Sequence, residues 1–95
     1  MARDFRRIKS LNRVKSIRRE KGILTADVLS SFIKSLAYHA ESKSLIVKIR
    51  DTCYLYQGVT FRRFKQILTA DSIGKAYNEK IKEWGIEYTS KWEEK

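Results

Sequence analysis

The stretch Leu45-Ile-Val-Lys-Ile-Arg-Asp-Thr-Cys-Tyr-Leu-Tyr56 decides the fold. Leu45, Val47 and Ile49 alternate with Ile46, Lys48 and Arg50, the period-two pattern of a strand. A very tight turn around Arg50-Asp51-Thr52 sends the chain back through Cys53 to Gln57, with Tyr54 and Tyr56 on one face and Cys53 and Leu55 on the other. Upstream, Phe32 to His39 reads as another strand, Leu36 and Tyr38 on one face, Ser35 and Ala37 on the other. Ala40-Glu-Ser-Lys43 is its polar link to the hairpin. Three consecutive strands with short links make an antiparallel meander, with one face to bury and one that can stay wet.

Downstream, Gly58 ends the hairpin and Thr60 can cap a helix. Phe61, Phe64, Ile67 and Leu68 fall within an arc of about 120° on that helix, opposite Arg62, Lys65, Gln66 and Thr69. Ala70-Asp71-Ser72 interrupts it, and Asp71 or Ser72 can cap a second helix. There Ile73, Ala76, Tyr77, Ile81 and Trp84 form the buried side, while Lys75, Asn78 and Lys82 point outward together. Gly85 is placed as the residue after the helix. Lys80 interrupts the apolar stripe, either with its stem along Tyr77 and Trp84 or as a ligand-facing charge. The sequence therefore predicts an α+β domain, a three-stranded antiparallel meander followed by two packed helices, over residues 23–85. Within it Ile23–Val28 begins the globular part, and Asp27 with Ser30-Ser31 shapes a turn before the first strand. Residues 86–95 are a C-terminal extension, an edge strand or extended packing segment carrying Tyr88 and Trp92.

Residues 1–22 read as a basic N-terminal arm. They hold nine basic and two acidic residues, net +7, whereas residues 23–95 hold twelve and nine, net +3, of a total of +10. The apolar Phe5, Ile8, Leu11, Val14 and Ile17 recur every three residues and spread over roughly 240° of a helix, so no docked helix is expected. Three readings stay open: a solubilising arm, a phosphate-binding arm that orders on contact, and a membrane-surface helix. Arginine outnumbers lysine there, which favours phosphate because guanidinium forks match its geometry.

No catalytic or metal-binding pattern stands out. The sequence has no Gly-rich phosphate loop after a strand, no His/Cys cluster at metal spacing, and no nucleophile beside its single histidine, His39. No enzyme, cofactor or metal is expected. The lone Cys53 cannot form an internal disulfide and suits a small core residue in a reducing cytosol. No run is long and apolar enough to span a bilayer, so neither a membrane partner nor a location outside the cytoplasm is expected.

Residues 28–83 resemble the KTSC domain, a small module named for its place at the C-terminus of some lysyl-tRNA synthetases and also found free-standing in bacteria. The resemblance is carried by Ser30-Ser31-Phe-Ile, Ala37-Tyr38, Leu45-Ile-Val47, Tyr54-x-Tyr56, Gly58-Val59, and Ala70-Asp-Ser-Ile-Gly74 followed by Asn78 and Ile81. It implies a compact strand-rich module followed by helices, without catalytic residues, for which RNA binding has been suggested. Two features depart from the family pattern: its usual hairpin Gly is replaced around Asp51-Thr52 in a shortened turn, and its Pro after Gly-Val is Thr60.

The expected function is nucleic-acid binding, RNA or single strands ahead of duplex DNA. Phosphate contacts would come from Arg3, Arg6, Arg7, Lys9, Arg13, Lys15, Arg18, Arg19 and Lys21 of the arm, and from Arg62, Arg63, Lys65, Lys75, Asn78 and Lys82 of the helices. Tyr54 and Tyr56 would stack on unpaired bases if their strand face is open; otherwise they are half-buried structural residues. The alternative is a protein-interaction module, such as a phage-type accessory or inhibitor protein docking on a host nucleoprotein, with Tyr88 and Trp92 as anchors. Either reading is compatible with a homodimer through an uncovered strand edge.

Overall fold

In the computed structural model, which describes residues 13–94, six strands each pair antiparallel with their sequence neighbours in one sheet. β1 (Val14–Glu20), β2 (Ile23–Val28), β3 (Ile33–His39), β4 (Ser44–Ile49) and β5 (Thr52–Gln57) come first. α1 (Phe61–Leu68) and α2 (Ile73–Trp84) follow, and β6 (Ser90–Glu93) returns to the sheet beside β5. The α+β class and the two helices stand. The meander has six strands rather than three, and the expected arm and C-terminal extension each supply one. Residues 1–12, with Arg3, Arg6, Arg7 and Lys9, lie outside the described residues.

The missing strands have a local cause. In a regular strand Val14 and Ile17 would face opposite ways. The register of β1 shifts between Val14 and Ser16, so that Val14 stands opposite Val28 and Ile17 opposite Ala26, both on the core side. One extra residue thus turns a spacing of three into a common face. The same device in β3 brings Ile33 opposite Ile49 and Leu36 opposite Val47. Lys21 and Gly22 both take positive φ, 53° and 81°, between the paired Glu20 and Ile23. That is the two-residue hairpin signature, and Gly22 adopts it without a Cβ penalty. In β2, Leu24, Ala26 and Val28 are buried in alternation, with Ile23, Thr25 and Asp27 on the open face.

Both helices cover one face of the sheet. Leu36, Leu45, Val47, Phe64, Ile67, Leu68 and Ile73 are buried there. The core's hydroxyls find partners: Tyr38 donates to the Val59 carbonyl at 2.6 Å, and the Tyr56 and Tyr77 hydroxyls bond each other at 2.6 Å. Tyr38 also stacks on Phe64, centroids 4.7 Å apart. Thr60, which replaces the family's proline, has φ −69° and accepts a bond from the Arg63 N–H, so it supplies a cap that proline cannot. Ser72 caps α2 in the same way, and Gly85 closes it in the left-handed conformation. The shortened hairpin turn is Arg50-Asp51, between the paired Ile49 and Thr52, with Arg50 at φ 57°.

Gly74 sets how closely α2 approaches the loop before β3. A Cβ there would sit 2.5 Å from Phe32 Cε1 and 3.1 Å from Ser30 Oγ. Ser30 Oγ in turn accepts from the Ile33 N–H at 3.2 Å, which fixes that loop.

Candidate nucleic-acid interface

Charge is distributed unevenly over this fold. On the face of the sheet away from the helices, basic and acidic groups pair: Arg18 with Asp27 at 2.9 Å, Lys34 with Asp51 at 3.9 Å, and Lys48 with Glu94 at 3.5 Å. The Arg18 guanidinium, helped by the Ser16 hydroxyl, holds the Asp27 carboxyl below its usual range. The open face is therefore close to charge balance. Its middle is apolar, with Ala37, Ile46, Leu55 and Trp92 around a buried Cys53 that stands opposite Trp92. Burial, and secondarily Glu94, pushes the Cys53 thiol up.

Part of the unpaired positive charge lies along the flank where β1 runs beside α1; Lys43, Arg50, Lys75 and Lys82 are further cations without an ion pair among the described residues. At one end Arg13 Nε donates to the Asp71 carbonyl at 2.8 Å, tying the start of β1 to the junction between the helices. At the other, Arg19 lines a 150 Å³ cavity with Gly22, Leu24, Tyr38, Ala40 and Phe61. Strand and helix thus run in opposite directions, and Lys65, whose Nζ lies 5.7 Å from the Phe61 ring centre, is on this side of α1. Arg19, Lys21, Arg62 and Lys65 have no carboxylate within ion-pair distance among the described residues, whereas Lys15, at the bulge beside Ser16, adds its charge to those that hold the Asp27 carboxyl down. The seven residues of β1 separate Arg13 at one end of this flank from Arg19 and Lys21 at the other by roughly 20 Å.

A groove of about 560 Å³ opens at the Arg13 end, between the loop at residues 29–32 and the first turns of α2. Arg13, Lys75, Asn78, Ser30 and Ser31 line it, and so do Asp71 and Glu79. Two carboxylates offset two cations, so the groove is polar but not strongly positive. Ser30 and Ser31, which the sequence placed in a simple turn, are brought to it by the close approach at Gly74. Lys75, Asn78 and Lys82 share the exposed side of α2 as expected.

Other expected site residues are engaged elsewhere. Tyr54 and Tyr56 point to the helix-covered side, not an open one: Tyr56 is 4% exposed and bonded to Tyr77, and Tyr54 packs edge-on against Tyr88 at 5.1 Å. Tyr56 is therefore corrected to a core residue. Burial raises the hydroxyl pKa of Tyr38, Tyr56 and Tyr77 alike. Arg63 lies 5.0 Å over the Trp84 ring, toward α2 and away from β1, and Arg18 is committed to Asp27. Lys80 pairs with Glu83 at 3.3 Å, while Lys75 and Glu79 form no ion pair among the described residues.

No group of three His, Cys, Asp or Glu able to hold a metal ion occurs among the described residues, and no helix there is long and apolar enough to cross a membrane. Comparison with known families matches the KTSC domain over residues 29–84, a span from the loop before β3 to the end of α2. No curated protein and no solved structure matches the chain.

Proposed function

The chain belongs to the KTSC domain family, and from that premise and its surface charge we propose that it is a small non-catalytic nucleic-acid-binding protein acting in the cytoplasm. The observation that carries this reading is the segregation of charge. Asp27, Asp51 and Glu94 are paired on the open face of the sheet, whereas Arg19, Lys21, Arg62 and Lys65 lie about the β1–α1 flank without acidic partners among the described residues. A row of such cations along a strand and the helix beside it attracts a phosphate backbone and releases its counterions. This supplies affinity without sequence choice.

At the Arg13 end the polar groove adds short hydroxyls and an amide, from Ser30, Ser31 and Asn78. Such groups hydrogen-bond to base edges and ribose 2′-hydroxyls, which favours RNA or another single strand whose bases are accessible. The second reading, a protein-interaction module of the accessory or inhibitor type, draws support from the exposed Tyr88 and Trp92 at the far end of the sheet.

The test compares the full chain with a triply and a doubly neutralised form, Arg19→Gln/Lys21→Gln/Lys65→Gln on the flank and Lys34→Gln/Lys48→Gln on the open face, in binding labelled single-stranded RNA, single-stranded DNA and duplex DNA. The flank variant is expected to lose at least about tenfold in affinity for every ligand, and the open-face variant to change little. Equal losses from the two faces would show that the charge layout does not direct binding.

A further inference from the structure

The two edges of the sheet differ in kind. β1 carries Lys15, Arg18 and Arg19, with Lys21 in the turn after it, and would meet its own copy with like charge, a common protection of edge strands. β6 is Ser90-Lys91-Trp92-Glu93, formally neutral, and all four residues are exposed. Two of the exposed large apolar side chains, Tyr88 at 47% and Trp92 at 37%, sit beside it.

The phase of the ladder shows what β6 offers outward. The Glu94 N–H donates to the Asp51 carbonyl at 2.7 Å, and Trp92 stands opposite Cys53. Antiparallel alternation then turns the N–H and C=O groups of Ser90 and Trp92 toward β5, and those of Lys91 and Glu93 to the outer edge, which no strand covers among the described residues.

We propose that β6 pairs with the β6 strand of a second copy of this chain, antiparallel, across a two-fold axis at Trp92, joining two sheets into one. With the axis there, Lys91 stands opposite Glu93 of the partner subunit, and Glu93 opposite Lys91 of the partner subunit. The outward N–H and C=O groups of the same residues bond reciprocally, and the Trp92 side chains meet at the axis, where a non-hydrogen-bonded pair brings side chains closest. An axis at Lys91 or at Glu93 would set like charges face to face. Backbone phase admits all three axes and side-chain charge selects the one at Trp92, and an isologous contact of this kind closes at two subunits. Tyr88, whose ring packs on Tyr54 and Tyr56, widens the contact on the helix-covered side. The pairing does not depend on the nucleic-acid reading, since β1 and β6 are opposite edges of the sheet.

Sedimentation equilibrium of the full chain tests it, over about 10 µM to about 1 mM, the range suited to a small contact. The expected result is a monomer–dimer equilibrium that Lys91→Glu and Glu93→Lys each weaken by about tenfold, through two opposed pairs turned into like-charge pairs, and that the double exchange restores. Glu93→Pro removes an outward N–H and no bond to β5, so it should abolish the dimer while circular dichroism remains native. A monomer throughout the range, or a dimer indifferent to the charge exchange, would overturn the proposal.

Discussion

At Gly74 a single missing methyl group decides how two segments meet. A side chain there would press on Phe32 and Ser30, and both belong to a loop held by its own hydrogen bonds. Gly74→Ala is expected to destabilise the fold by about 1–3 kcal/mol, the usual range for overpacking, measured by urea denaturation. The Tyr56–Tyr77 hydroxyl pair behaves differently, because each is the other's buried partner. Tyr77→Phe should cost about 1–2 kcal/mol by orphaning the Tyr56 hydroxyl, and adding Tyr56→Phe should cost far less than a second such step, since no polar group is then left unpaired. Non-additivity in a double-mutant cycle checks this. Part of the residue scale was legible in the sequence: Thr60, Ser72 and Gly85 act as caps, and Lys75, Asn78 and Lys82 share an exposed side. Tyr56 was not, because alternation says which residues share a face but not which face the helices will cover.

At the scale of elements, the central hairpin and both helices follow from periods of two and 3.6. β1 and β2 were hidden for separate reasons. The bulge in β1 disguises its period, and Asp27 with Ser30-Ser31 looks like turn chemistry although Asp27 sits in a strand beside Arg18. That pair links β1 to β2 and gives a pH signature. The folded Asp27 carboxyl titrates below its unfolded value, so its contribution is present above about pH 4 and is lost as pH falls through the folded value. Because both side chains are well exposed, the effect on stability is small. The direct check is the carboxyl carbon shift of Asp27 on NMR titration: its midpoint should lie below that of a free aspartate and move up in Arg18→Ala. Cys53 offers a second check on an element, here β6. Covered on the open face and with its thiol pKa raised by burial, it should react slowly with alkylating reagents at neutral pH. Trp92→Ala, which removes the side chain opposite it, should speed that reaction.

The whole molecule separates its charge, with a balanced open face, a basic flank along β1 and α1, and a neutral edge at β6. The sequence located the excess in its first 22 residues but not its shape. About a third of that segment is an edge strand, and only pairing shows that Arg18 is neutralised by Asp27 while Arg19 faces the opposite side beside Phe61. A flank that tracks a phosphate backbone must show it in the salt dependence of binding. The affinity of the full chain for single-stranded RNA would be measured at several salt concentrations beside the Arg19→Gln/Lys21→Gln/Lys65→Gln form. Three lost phosphate contacts should make the slope of log K against log salt shallower by about 2. The same slope for both proteins, or no binding by the full chain at low salt, would show that this flank does not hold a phosphate backbone.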